Sequence, residues 1–196
     1  MKKMSFKDIF VPTITLFVIC LVVSALLAGT NALTKAPIAE NSLKKTQEAM
    51  KSVCPFAASF EETKGVEGNT NVVYKALDDK GEVKGCAISV TSKGYGGDIQ
   101  IMVGISSADG GMVTGVEILS HGETPGLGAN ATAEDFRNQF KDNPSLHGFS
   151  VVKDGSGGSE GKIDAITGAT ITSNAVTNAV NEALHIYMSL CEGGEL

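Results

Sequence analysis

The chain has 196 residues and is mildly acidic, with a formal net charge of −6, 23 glycines and no tryptophan. No Lys/Arg cluster is present, which excludes a nucleic-acid partner, because phosphate binding needs grouped cations. None of the four cysteines has C-x-x-C spacing, so neither a zinc nor an iron–sulfur site is encoded, and the sequence offers no metal site.

Residues 9–28 are apolar except for Thr13, Thr15 and Ser24, and carry no charge. A run of that length at helical rise matches a hydrocarbon layer of about 30 Å. Pro12 falls in its first turn, where a missing N–H is tolerated. Lys2, Lys3 and Lys7 precede the run and only Lys35 follows closely. The positive-inside rule therefore puts residues 1–8 in the cytoplasm and everything after the span outside it. A cleaved signal peptide is the competing reading, since residues 28–32 are small. The apolar run exceeds the ~7–15 residues of a signal core, which favours a retained anchor in the plasma or inner membrane. Both readings export the C-terminal part.

Residues 29–60 read as a linker with an amphipathic helix. Ala39, Leu43, Met50 and Val53 recur at helical intervals, Pro37 suits a helix start and Pro55 marks the end. Residues 61–196 form one exported domain, long enough for a core of its own. The polar stretch 61–70 reads as a loop. Residues 71–77, 82–92, 98–106 and 112–119 are Val/Ile-rich strands, with turns at Asp79-Lys80-Gly81 and Asp109-Gly110-Gly111. Sequential strands with short connections imply an antiparallel meander. Gly94-Tyr95-Gly96-Gly97 interrupts it and reads as an ordinary turn, although its glycines would also let the backbone approach a flat ring.

The next stretch, His121-Gly-Glu-Thr-Pro-Gly-Leu-Gly128, is a turn-rich loop with uncovered backbone N–H groups at Gly126 and Gly128. No role is assigned to His121. Thr132 to Phe140 suits a short helix with acidic residues in its first turn, and Phe136 and Phe140, four apart, face the core. Residues 149–152 suit a further strand, and 154–161 a Gly/Ser linker or long hairpin tip. Then comes Asp164-Ala-Ile-Thr167-Gly168-Ala169-Thr170-Ile-Thr172-Ser173. Thr172 and Ser173 look like caps for a helix reaching to about Leu190, striped by Val176, Ala179, Val180, Ala183, Leu184 and Tyr187. The positive end of that helix would favour a phosphate near Thr170.

Asp164-x-x-Thr167-Gly168-Ala169-Thr170 resembles the flavinylation motif of the FMN-binding domain family, and the 121–128 loop is similar to that family's flavin-contacting loop. The resemblance implies covalent FMN, held by a phosphoester to the hydroxyl of Thr170 and attached by a separate flavin transferase that uses FAD and Mg. Thr167, Gly168, Ala169 and Asp164 would belong to the attachment site. Glu123, Thr124, Gly126 and Gly128 would hydrogen-bond the isoalloxazine edge, with Leu127 against its apolar part. Asp164 would serve either transferase recognition or structural capping.

With one N-terminal span and little else, the layout resembles the family of G subunits of Rnf ion-translocating electron transport complexes. It is also similar to the C subunits of the Na-translocating NADH:quinone reductase, generally longer. The fold expected is α+β: a single transmembrane helix, then an antiparallel sheet with flanking helices. The function implied is electron relay on the outer face of a ferredoxin:NAD oxidoreductase, between other membrane proteins of the complex, without complete activity alone. The alternatives are a stand-alone extracytoplasmic flavoprotein reductase, the equivalent of the quinone reductase's C subunit, or a non-redox anchored domain. The coupling ion stays open, as does any disulfide among Cys54, Cys86 and Cys191.

Overall fold

The computed structural model describes residues 6–63, 71–108, 110–141, 143, 148–158 and 160–194. The expected turn residue Asp109 and most of the 61–70 loop lie outside the described residues. Helix α1 runs unbroken from Phe6 to Val53, with Pro12 and Pro37 inside it. Pro37 therefore does not start a second helix, contrary to the expectation from sequence. The helix formers around it carry the backbone through, and a proline costs only its own N–H bond and local straightness. From Phe10 onward α1 is long and apolar enough to cross a membrane by length and composition. It ends where Cys54 precedes Pro55, a residue pair that disfavours continued helix.

The chain divides into two compact units, residues 1–44 and 45–196. In the second unit a five-stranded antiparallel sheet runs in sequence order: β1 (Ser59–Thr63), β2 (Val72–Leu77), β3 (Val83–Lys93), β4 (Asp98–Ser106) and β5 (Met112–Ser120). The meander is as expected, but residues 59–63 add an edge strand where the sequence reads as loop. Its residues, Ser-Phe-Glu-Glu-Thr, are mostly exposed, so no hydrophobic alternation marks it.

Period-two alternation gives the sheet two buried faces. On one face Cys86, Ile88 and Val90 of β3 and Ile101, Val103 and Ile105 of β4 meet the stripe of α3 (Thr170–Glu192), including Val176, Val180, Ala183 and Tyr187. On the other, Ala76, Ala87 and Met102 meet Ala49, Met50, Val53 and Cys54. Glycines seat that helix end: a Cβ at Gly104 would collide with the carbonyl of Val53, and Gly115, paired with Gly104 across the ladder, lies under the same residue. The Val53 carbonyl, left over at a helix terminus, accepts a hydrogen bond from Thr114 Oγ1 at 2.5 Å.

After β5 come a 3₁₀ turn (Gly128–Thr132) and a one-turn helix α2 (Glu134–Arg137), shorter than expected. Phe136 and Phe140 are buried and meet edge-to-face at 5.7 Å, and Phe140 meets Phe149 at 5.3 Å. Strands β6 (Ser150–Val152) and β7 (Lys162–Asp164) pair in parallel, so the connection between them is a crossover and not a hairpin. All four cysteines are free thiols, Cys54 and Cys86 buried, Cys20 and Cys191 exposed. Cys54 lies in the cluster on one face of the sheet and Cys86 in that on the other.

Candidate functional site

Three segments converge at one end of the sheet: the Gly94–Gly97 turn between β3 and β4, the loop after β5, and the chain entering α3. Between them lies a cavity of about 440 Å³. Of the residues singled out from sequence, Glu123, Thr124, Leu127, Gly128, Gly168, Ala169 and Thr170 line it. Gly126, Thr167 and Asp164 stand outside the lining. Tyr95, Ile171 and Thr172 also line it, and the sequence reading does not place them there.

Helix α3 begins at Thr170 itself, with Ala169 as the N-cap at φ −133° and no side-chain cap. This corrects the expected capping by Thr172 and Ser173, which lie inside the first turn. Gly168, at φ 76°, makes the reversal that feeds the helix. Ser173, fully buried, accepts from the Ile166 N–H at 2.9 Å and donates to the Ala169 carbonyl at 3.0 Å, so it pins the approach segment from within. The first N–H groups of any α-helix lack intrahelical partners, and here they lie beside the half-buried Thr170 hydroxyl. No acidic residue occupies the first turn to compete for that positive end.

Glu123 is 7 % exposed and committed on both oxygens. Oε2 accepts from Thr172 Oγ1 at 2.7 Å, and Oε1 accepts from the Gly96 N–H at 3.0 Å. Burial pushes the carboxyl up, but the Thr172 hydroxyl and the Gly96 and Tyr95 N–H groups outweigh it and hold the group below the usual range. Each oxygen of the side chain thus has a partner within the protein itself. The glycines around it leave it room. A Cβ at Gly94 would strike Oε1, and one at Gly128 would strike Oε2 and lie 2.7 Å from Thr172 Oγ1. Gly96 is pressed against the carbonyl of Gly122. His121 Nδ1 accepts from the Glu123 N–H at 3.2 Å, which makes it a loop brace.

Asp164 ends β7 and turns away from the cavity. Its Oδ1 accepts from the Gly157 N–H at 3.1 Å, and its own N–H donates to Gln139 Oε1 at 2.6 Å. The carboxylate therefore caps the crossover loop. The cavity mouth is apolar: Tyr95 is 73 % exposed, Ile171 56 % and Leu127 45 %. Outside α1, the only other exposed large hydrophobic among the described residues is Met188. Such grouping marks a place where something binds. Tyr95 escapes a reading of the sequence because a lone aromatic in a glycine turn has no periodic partner; the flanking glycines are the available signal. Among the described residues no cluster of His, Cys, Asp and Glu suits a metal ion.

The volume fits an organic cofactor, for which sites of roughly 300–1,000 Å³ are usual. A hydroxyl, a helix N-terminus for an anion and apolar walls for a ring are the donor set that a flavin mononucleotide needs.

Comparison with known proteins agrees. The chain matches the FMN-binding domain family over residues 94–185 and the RnfG N-terminal region over residues 1–53. It is 41% identical over 192 residues to the G subunit of the ion-translocating oxidoreductase complex of Methanosarcina acetivorans, covering 95% of this chain and 98% of that one. It is 35% identical to the G subunit of the Na(+)-translocating ferredoxin:NAD(+) oxidoreductase complex of Acetobacterium woodii, covering 96% of each. Among solved structures it resembles the C subunit of the Na(+)-translocating NADH-quinone reductase of Parabacteroides distasonis, with a TM-score of 0.56 at 23% identity, covering 76% of this chain and 91% of that one. That likeness supports the α+β fold.

Proposed function

The chain belongs to the G-subunit family of ion-translocating oxidoreductase complexes, with an FMN-binding domain, and from that premise we propose that it relays electrons within a membrane-bound ferredoxin:NAD oxidoreductase of the Rnf type, through FMN esterified to Thr170. The observation that carries the reading is the Thr170 hydroxyl, set at the start of α3 on the wall of the cavity. The match of residues 1–53 to the RnfG N-terminal region favours this family over that of the quinone reductase's C subunit.

FMN, when bound, supplies a centre that takes up two electrons and can release them singly. The residues of the chain do the rest. Thr170 fixes the phosphate end. The N–H groups of the first turn of α3 offset its charge. Gly168 and Gly128 keep the backbone open to it, while Leu127, Ile171 and Tyr95 exclude water from the ring. A covalent tether prevents loss of the cofactor outside the cytoplasm. Attachment needs a separate transferase: an Oγ–P bond forms, the pyrophosphate bond of FAD breaks, AMP leaves, and the hydroxyl proton passes to a base of the transferase. Asp164 supports the reading indirectly, by capping the crossover loop that leads into the motif.

Residues 9–28 would form the membrane span, with residues 1–8 cytoplasmic, 29–60 as linker and 61–196 outside. The lysine asymmetry supports that orientation. Intact-mass measurement of chain coexpressed with a flavin transferase tests the site. The wild type should gain the mass of FMN less one water, and Thr170→Ala should gain nothing. Covalent flavin on Thr170→Ala would overturn the assignment.

A further inference from the structure

The turn that carries Tyr95 and the helix turn that carries Thr170 are remote in sequence, yet one buried side chain is bonded to both. Glu123 reaches 27 positions back to the Gly96 N–H and 49 positions forward to the Thr172 hydroxyl. The neighbouring Tyr95 N–H also favours the ionised carboxylate. Tyr95 itself projects into solvent at 73 % exposure, so its position on the cavity wall depends on its backbone. The surrounding backbone gives up side chains at Gly94 and Gly128 to let the carboxylate through.

We propose that Glu123 is a positioning residue that fastens the Tyr95 turn to the first turn of α3, and so fixes the aromatic wall of the cavity relative to Thr170. The fastening stands on the hydrogen bonds alone. Its redox consequence rests on the reading of Thr170 as the FMN tether. With the tether at one wall and Tyr95 at the other, the carboxylate sets how closely a ring between them is covered, and hence its solvent access and potential. Gln can replace Glu here, since its carbonyl oxygen still accepts from the turn and its NH₂ group can donate to the Thr172 hydroxyl. Ala cannot.

The full-length chain is coexpressed with a flavin transferase as Glu123→Ala, Glu123→Gln, Thr172→Val, Tyr95→Ala and the Glu123→Ala/Tyr95→Ala double variant. Flavin fluorescence, midpoint potential and intact mass are measured on each. Amide exchange of Tyr95 and Gly96 is measured in a Thr170→Ala background, which needs no flavin. Expected is severalfold brighter flavin and a shifted potential in Glu123→Ala and in Tyr95→Ala, with no further change in the double variant, because both remove the same wall. Glu123→Gln should restore both properties, and exchange at Tyr95 and Gly96 should quicken in Glu123→Ala but not in Glu123→Gln. Should Glu123→Ala fail to fold, Thr172→Val, which cuts one arm only, reports instead and should brighten the flavin.

Additive effects of Glu123→Ala and Tyr95→Ala would overturn the proposal, as would exchange at Tyr95 and Gly96 indifferent to the Glu123 substitutions. Quickened exchange in Glu123→Ala, together with no flavin on the chain that keeps Thr170, would support the fastening and sink the FMN reading.

Discussion

Replacing Thr172 by Val keeps the shape of the side chain and deletes the hydroxyl that donates to Glu123 Oε2 at 2.7 Å. Thr172 is 1% exposed and Glu123 7%, so water cannot readily substitute. A hydrogen bond to a charged group contributes about 1.5–3 kcal/mol net, and a buried acceptor left bare costs a similar amount, so roughly 2 kcal/mol should be lost near pH 7. The pH dependence carries a definite sign. Burial raises the Glu123 carboxyl but the Thr172, Gly96 and Tyr95 donors lower it further, so its folded value lies below its unfolded one of about 4.3. Its contribution to stability is full above the unfolded value and fades as pH falls through the folded one. In Thr172→Val the folded value rises and the contribution fades at a higher pH. Once the pH has fallen below the folded value of both proteins the acid is protonated in each, and the deficit should shrink toward the ~1 kcal/mol of a neutral hydrogen bond. Urea unfolding of the full chain in detergent, followed by circular dichroism at several pH values with an unchanged m-value, gives the difference. A deficit under about 0.5 kcal/mol at neutral pH, or one that grows with acidity, would refute the reasoning.

Gly104→Ala would thrust a methyl group into the Val53 carbonyl, and neither backbone can yield cheaply, so a loss of about 1–3 kcal/mol is expected in the same unfolding assay. Phe140→Ala empties a fully buried site in contact with the Phe136 and Phe149 rings; thermal unfolding should show a deficit of about 3–5 kcal/mol. Burial pushes the Cys54 thiol up to about 12 and the Cys86 thiol higher still, so alkylation near pH 8 followed by peptide mass mapping should mark Cys191 and spare both until urea is added.

The meander from β2 to β5 is legible in the sequence because Val and Ile alternate along it between Gly and Asp turns. The apolar segment and the α3 stripe are legible for the same reason, periodicity enforced by burial. Edge strand β1 is not, since a strand paired on one side and exposed needs no apolar code. The parallel pairing of β6 with β7 is hidden because three-residue strands carry no directional signal. Pro37 misleads because proline signals a start more often than a passage. At the site, the motif residues Gly168, Ala169 and Thr170 are readable, and the cavity does form between the two predicted segments. The inward turn of Glu123 and the arrival of Tyr95 depend on contacts across the sheet end, which no local window contains.

The Glu123 pocket has a bearing on how such chains diverge. Gly94, Gly96, Gly122 and Gly128 are small because a carboxylate threads between them or because two backbones touch there. A lineage that shortened the acid would remove the carboxylate clash at Gly94 and Gly128 but would leave Ile99 against the first and Thr172 against the second, so alanine would stay poorly tolerated at both. Glycine at these scattered positions should consequently outlast the acid itself, held by Ile99, by Thr172 and by the contact between the Gly96 and Gly122 backbones.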